Sequence, residues 1–273
     1  MRRVTIGVFD SGVGGLTVLR ELAARIPDAD YIYFGDTARL PYGSKSAETV
    51  AKYAVSATKF LEEHGAELLV IACNTASALA LDAISGAANV GVVGVVEPGA
   101  ESAAAATRRN KVLVIGTEAT IKSHAYQHAL EKRGVEVCEK ACPLFVPLIE
   151  EGWVEHPVTQ QVAHVYLDDV FHDFETGPDV LVLGCTHYPL IKPLLRSVAP
   201  WRVEIVDSAE ATARCVAESL RIAPPKTSEG SERRQPTRMK FFATDSVEKF
   251  RSLGERFMGH GLEDVQHVDM DSR

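Results

Sequence analysis

Leu68-Leu69-Val70-Ile71-Ala72-Cys73-Asn74-Thr75 and Val180-Leu181-Val182-Leu183-Gly184-Cys185-Thr186-His187 share one layout: an apolar run, a small residue, a thiol, then polar side chains. An uninterrupted apolar run of this length fits a strand covered on both faces, as in a parallel sheet. Cys73 and Cys185 lie 112 positions apart. If the two halves of the chain face each other, one thiol reaches each side of a single pocket. An acid or base on both faces of a carbon can remove a proton from one side and return one to the other, as inversion of a stereocentre requires.

Working outward, further apolar runs at 4–9, 31–34, 92–95, 111–115, 203–206 and 239–243 alternate with helical spacing. That spacing is clearest at Val50, Tyr53, Ala57 and Leu61 and again over 119–132. Pro157 and Val158 open another expected helix running to about Phe174, with Val162, Val165, Tyr166 and Val170 on its inner side. A second echo supports duplication: Val4-Thr5-Ile6-Gly7-Val8-Phe9-Asp10-Ser11 matches Lys111-Val112-Leu113-Val114-Ile115-Gly116-Thr117 at an offset of about 107. The expected fold is α/β, two pseudo-symmetric doubly wound parallel-sheet domains with the active site between them. Residues 1–95 plus 208–273 form the first domain, completed by the C-terminal segment, and 96–207 form the second. Residues 224–238, rich in Pro, Ser and charge, read as a mobile surface loop.

Bulk composition excludes more than it selects. With 29 basic and 37 acidic residues the net charge is −8, which argues against a nucleic-acid surface and offers an anion no global attraction. An anion site must therefore be built locally from amides and a few side chains. No apolar run approaches the roughly 20 residues of a membrane span. The opening Met1-Arg2-Arg3-Val4 leads into a strand without a secretory signal, and the five cysteines are an odd number, so a cytoplasmic protein with reduced thiols is expected. The C-x3-C pair Cys138 and Cys142 lacks a second Cys/His pair, so no metal is expected.

Asp10-Ser11-Gly12-Val13-Gly14-Gly15-Leu16-Thr17 joins a strand to a helix. Its glycines admit backbone amides to an anion, but Thr17 stands where a dinucleotide fingerprint needs its last Gly, so a small carboxylate suits it better than NAD. Asp36, ending the next strand, would be the ribose acid of a dinucleotide site. Pro41-Tyr42-Gly43 is a turn by itself, although loops after strands rim the crevice in such sheets. One buried Cys is usually a small hydrophobe; two at matched strand ends, each before polar residues, favour function. A helix N-terminus beside a thiol favours the thiolate. His187 adjoins Cys185, and Asp10 can approach Cys73; each can tune a neighbouring proton transfer. Cys138, Cys142 and Cys215 have no such setting. Glu150 and Glu151 by themselves read as a solvated turn.

Taken together, the 10–17 loop, Gly35-Asp36-Thr37, Pro41-Tyr42-Gly43, Cys73-Asn74-Thr75, Gly116-Thr117-Glu118-Ala119-Thr120-Ile121-Lys122-Ser123, Cys142-Pro143-Leu144-Phe145-Val146-Pro147-Leu148 and Gly184-Cys185-Thr186-His187-Tyr188-Pro189 resemble the bacterial glutamate racemase family. The likeness runs from about residue 4 to about 260. It implies cofactor-independent interconversion of L- and D-glutamate, supplying D-glutamate for peptidoglycan. By the family's motifs, Cys73 deprotonates D-glutamate assisted by Asp10, and Cys185 deprotonates L-glutamate assisted by His187. Glu150 matches the acidic residue near the second thiol, with Glu151 as the alternative register. Asp10, Ser11, Pro41, Tyr42, Gly43, Asn74, Thr75, Thr117, Thr120, Thr186 and His187 are implied to surround the substrate. The resemblance allows a homodimer. Some relatives inhibit DNA gyrase, for which no basic run here speaks. Control by a cell-wall nucleotide precursor, tied in relatives to an N-terminal extension, is not expected. Three alternatives stay open: a racemase for another amino acid such as aspartate or for a hydantoin, a single-cysteine decarboxylase or hydrolase on the same scaffold, and a non-catalytic amino-acid binder.

Overall fold

The computed structural model describes residues 3–172, 176–222 and 237–270. The first half runs β1 (Thr5–Asp10), α1 (Leu16–Arg25), β2 (Asp30–Gly35), α2 (Ala47–Glu63), β3 (Leu68–Ile71), α3 (Asn74–Ala87) and β4 (Gly91–Gly94). Next come α4 (Val96–Ala106), β5 (Lys111–Gly116), α5 (Glu118–Lys122), α6 (Ala125–Glu131), β6 (Glu136–Ala141), α7 (Phe145–Glu150) and α8 (Pro157–Phe171). The chain ends with β7 (Val180–Gly184), α9 (Lys192–Val198), β8 (Glu204–Asp207), α10 (Ser208–Ser219), β9 (Met239–Ala243), α11 (Val247–Met258) and β10 (Val265–His267).

Two parallel sheets result. The first has the order β10-β9-β2-β1-β3-β4 and the second β6-β5-β7-β8. The blocks β2-β1-β3-β4 and β6-β5-β7-β8 are the same arrangement in the same chain order, so the echoes at 4–11 and 68–75 correspond to equivalent strands of two α/β units. The last two strands return to the first sheet, Tyr31–Gly35 pairing with Met239–Ala243 in register. β3 and β7 are buried throughout because helices cover both faces of each sheet. Each fully buried Val, Leu or Ile contributes about 1.5–3 kcal/mol of transfer free energy.

Both units contribute to one apolar cluster, in which Ile6, Val8 and Leu16 join Leu113, Ile115, Leu181 and Leu183. In each sheet the crevice lies where strand order reverses, beyond the carboxyl ends of β1 and β3 and of β5 and β7. The glycine loop after β1 makes the close approach possible. A Cβ on Gly14 would stand 2.3 Å from Thr186 Oγ1 and 2.5 Å from His187 Nδ1, both on buried side chains. Across the same seam the Thr17 hydroxyl lies 3.0 Å from the Thr186 carbonyl. Gly14→Ala is therefore expected to destabilise the protein by about 1–3 kcal/mol, read as a lower Tm. An unchanged melt would mean that the two units separate there without cost.

Several expectations need correction. The single helix expected over 119–132 is two, α5 and α6, because His124 takes a left-handed backbone (φ 55°) between them. On α8 the inner line is Thr159, Ala163 and Leu167, flanked by the half-buried Val162, Tyr166 and Val170, while Val165 is 75% exposed. The expected end of that helix near Phe174, and most of the 224–238 loop, lie outside the described residues. β6 and β10 were not foreseen.

Candidate active site

Cys73 sits between β3 and α3 as the residue that caps the helix, its sulfur accepting the Ala76 amide at 3.4 Å. The thiol donates to Ser11 Oγ at 3.5 Å. A helix N-terminus was expected to favour the thiolate. Here burial dominates, and with the nearby Asp10 carboxylate it pushes the Cys73 thiol up to about 12, against the Ser11 and Ala76 hydrogen bonds. Cys73 therefore rests as a neutral acid. Asp10 ends β1, buried, with Oδ2 accepting the Gly12 amide at 2.9 Å. Burial raises its carboxyl above the ordinary range, while the charge of His187 draws it down.

The second thiol has a different setting. β7 ends at Gly184, and the chain beyond Cys185 makes a 3-10 turn over Tyr188–Ile191 before α9, so Cys185 does not head an α-helix as Cys73 does. Its partner is a side chain. His187 Nδ1 lies 4.0 Å from the Cys185 sulfur, and Nε2 lies 3.1 Å from Glu150 Oε1. Burial pushes the His187 imidazole down, but the Cys185 sulfur and the Glu150 carboxylate outweigh it and hold the ring up at about 10. Reciprocally, His187 keeps the Glu150 carboxyl below its ordinary value against burial. α11 braces this chain: Arg256 Nη1 donates to the Glu150 carbonyl at 3.1 Å, and Phe257 meets the His187 ring edge-on at 5.1 Å. Glu150 is the residue that reaches His187; Glu151 is exposed to solvent.

Both thiols line one cavity of about 520 Å3 between the two units. From the first unit come Ser11, Pro41, Tyr42, Gly43, Cys73, Asn74 and Thr75; from the second, Thr117, Glu150, Cys185, Thr186 and His187. Asp10 and Thr120 are not on its surface but directly behind it. Thr120 Oγ1 closes a triangle with the hydroxyls of Thr75 (3.2 Å) and Thr117 (2.9 Å), and Thr75 and Thr117 are themselves 2.9 Å apart. This triangle ties α3 to α5 across the cleft. Asp36 does not face a ribose site: it is buried, accepting from Tyr42 Oη at 2.6 Å and Thr244 Oγ1 at 3.0 Å, which anchors the Pro41-Tyr42-Gly43 loop.

Leu40 and Ser44, flanking that loop, also line the cavity and were not singled out from sequence, nor were Glu118, Pro143, Val146 and Pro147 individually. The last four lie within motif stretches quoted above, which was the available signal. Among the described residues no Lys or Arg lines the cavity. Apart from His187, donors for an anionic ligand are thus neutral: hydroxyls, backbone amides and the Asn74 side-chain nitrogen, which is buried without a hydrogen-bond partner. Among the described residues no group of three His, Cys, Asp or Glu side chains is arranged to hold a metal ion, and no helix is long and apolar enough to cross a membrane.

A family model described as Asp/Glu/Hydantoin racemase matches residues 15–216. A glutamate racemase of Koribacter versatilis (strain Ellin345) is 59% identical, covering 98% of each chain. Among solved structures, a glutamate racemase of Francisella tularensis subsp. tularensis SCHU S4 in complex with D-glutamate superposes with a TM-score of 0.86 at 37% identity, covering 99% of each chain. A glutamate racemase isoform of Bacillus anthracis gives 0.88 at 34% identity over 98% of each chain.

Proposed function

The chain belongs to the Asp/Glu/Hydantoin racemase family, among its glutamate racemases, and from that premise we propose that it interconverts L- and D-glutamate by proton transfer between two thiols, without an organic cofactor. The observation that carries the mechanism is the pair Cys73 and Cys185 on the walls of one cavity, one from each α/β unit.

In the L-to-D direction the Cys185 thiolate, paired with the His187 imidazolium, takes the α-proton. The Cys73 thiol delivers its own proton to the opposite face of the α-carbon, leaving a Cys73 thiolate and a Cys185 thiol. The D-to-L direction reverses these roles, and Asp10 beside Cys73 makes that thiolate a strong base. The α-proton is a very weak acid, so charge developing on the substrate must be met by fixed donors in a site shielded from water. Ser11, Asn74, Thr75, Thr117 and Thr186 are the donors we assign to the carboxylates, and among the described lining residues no Lys or Arg stands ready to neutralise either thiolate. In the cell, the family resemblance supports assigning the D-glutamate to peptidoglycan synthesis.

Circular dichroism of L-glutamate incubated in D2O with purified protein, without pyridoxal phosphate, tests this reading. Enantiomers have equal free energy, so the signal is expected to decay to zero, with deuterium at the α-carbon of the product. A stable signal with no deuterium uptake would reduce the protein to a binder, and faster turnover of aspartate would reassign the substrate.

A further inference from the structure

Asn74 follows Cys73 at the start of α3 and is 3% exposed. Its two amide atoms are in opposite situations. Oδ1 accepts from the Tyr126 hydroxyl at 2.7 Å, whereas Nδ2 is buried without any acceptor. A buried donor left unpaired is costly unless a ligand completes it. Asn74 is on the cavity wall, so a substrate carboxylate is the acceptor at hand. Tyr126 belongs to α6 in the opposite unit, is fully buried, and does not line the cavity.

An Asn amide turned by half a revolution exchanges a donor for an acceptor at nearly the same position. Something must therefore choose between the two settings. The Tyr126 hydroxyl, donating to Oδ1, makes that choice. The hydroxyl thus ties the residue after Cys73 to α6 of the opposite unit. α4 leaves room for it with Gly99, where a Cβ would come within 3.1 Å of the Tyr126 oxygen.

We propose that Tyr126 is a positioning residue for the reaction: its hydroxyl holds the Asn74 side chain with Nδ2 turned to receive a carboxylate of the substrate. This rests on the racemase reading above and names a residue that reading does not use. Without the hydroxyl Asn74 Oδ1 loses the one hydrogen bond described for it, and the amide is no longer fixed in a single setting.

The test is a double-mutant cycle on glutamate racemisation. Tyr126→Phe is expected to lower kcat/KM about tenfold, chiefly through KM, as loss of one charge-assisted hydrogen bond does. In the Asn74→Ala background the same change is expected to cost less than about twofold, because the group it positions is gone. An effect in that background above threefold, or a loss below twofold in the wild type, overturns the proposal. If Y126F gives no cooperative melt, Gly99→Ala replaces it, since the added methyl displaces the hydroxyl while keeping the ring. G99A is then expected to raise KM in the wild type and to be silent in N74A protein; equal effects in both overturn the proposal. A wild-type protein that does not racemise glutamate sinks the functional reading first, whereas a racemising wild type with an unaffected Y126F sinks only this inference.

Discussion

Replacing either Cys73 or Cys185 by alanine is expected to lower racemisation by about 10^3-fold or more in both directions, at the upper end of what a positioned acid or base contributes. The two variants should fail differently. Cys73→Ala keeps the Cys185–His187–Glu150 chain, so abstraction from L-glutamate survives while delivery to the opposite face does not. In D2O this variant should exchange the α-proton of L-glutamate faster than it inverts the centre. Cys185→Ala should show the same imbalance with D-glutamate, where Cys73 faces the proton. A hydrolase or decarboxylase with one nucleophile would tolerate loss of the other thiol, so full activity in either variant ends the two-base account. Both side chains are nearly buried on the wall of the cavity, so thermal melts should accompany the kinetics to show that the variants stay folded.

The sequence carried the strands of both crevices and the two thiols because buried parallel strands are written as uninterrupted apolar runs that end at polar residues. It did not carry β6, whose Glu-Val-Cys-Glu-Lys-Ala is half charged because it lies at a sheet edge with one side in water. β10 is three residues long and also at an edge. The break at His124 was invisible because neither Gly nor Pro marks it; tertiary contacts, including the Glu139 carboxylate 2.7 Å from the His124 ring, accompany the left-handed turn. At the candidate site, motif spacing marked the two thiols that share the cavity but not their protonation. The helix after Cys73 was legible; the burial and the Asp10 charge that reverse its effect arise only when β1 and β3 lie side by side. Likewise nothing in the run from Ala119 to Lys132 distinguishes Tyr126 from any other core aromatic.

The difference between the two thiols leads to a pH dependence with a definite sign. His187 is held at about 10, above its ordinary 6.5, so its positive charge is present at neutral pH and disappears only as pH rises through about 10. If that charge sustains the Cys185 thiolate, L-to-D turnover should hold steady from pH 7 to about 9 and fall beyond about 10. Cys73, at about 12, remains a proton donor across that range and does not confuse the profile. Glu150→Gln removes one of the two groups that raise His187, so the alkaline limb should move to lower pH, with a smaller rate loss than His187→Gln. The latter should reduce L-to-D kcat by about 10^2-fold, within the range for a tuned acid–base partner. Stability follows the same linkage: a base whose folded value is raised contributes fully below its unfolded value and loses that contribution as pH passes the folded one. The gap in unfolding free energy between wild type and H187Q should therefore be widest near pH 6 and close toward pH 10, measured by denaturant titration. A gap that widens with pH, or an L-to-D rate that does not fall beyond about pH 10, means that the His187 imidazolium is not what sustains the reacting form of Cys185.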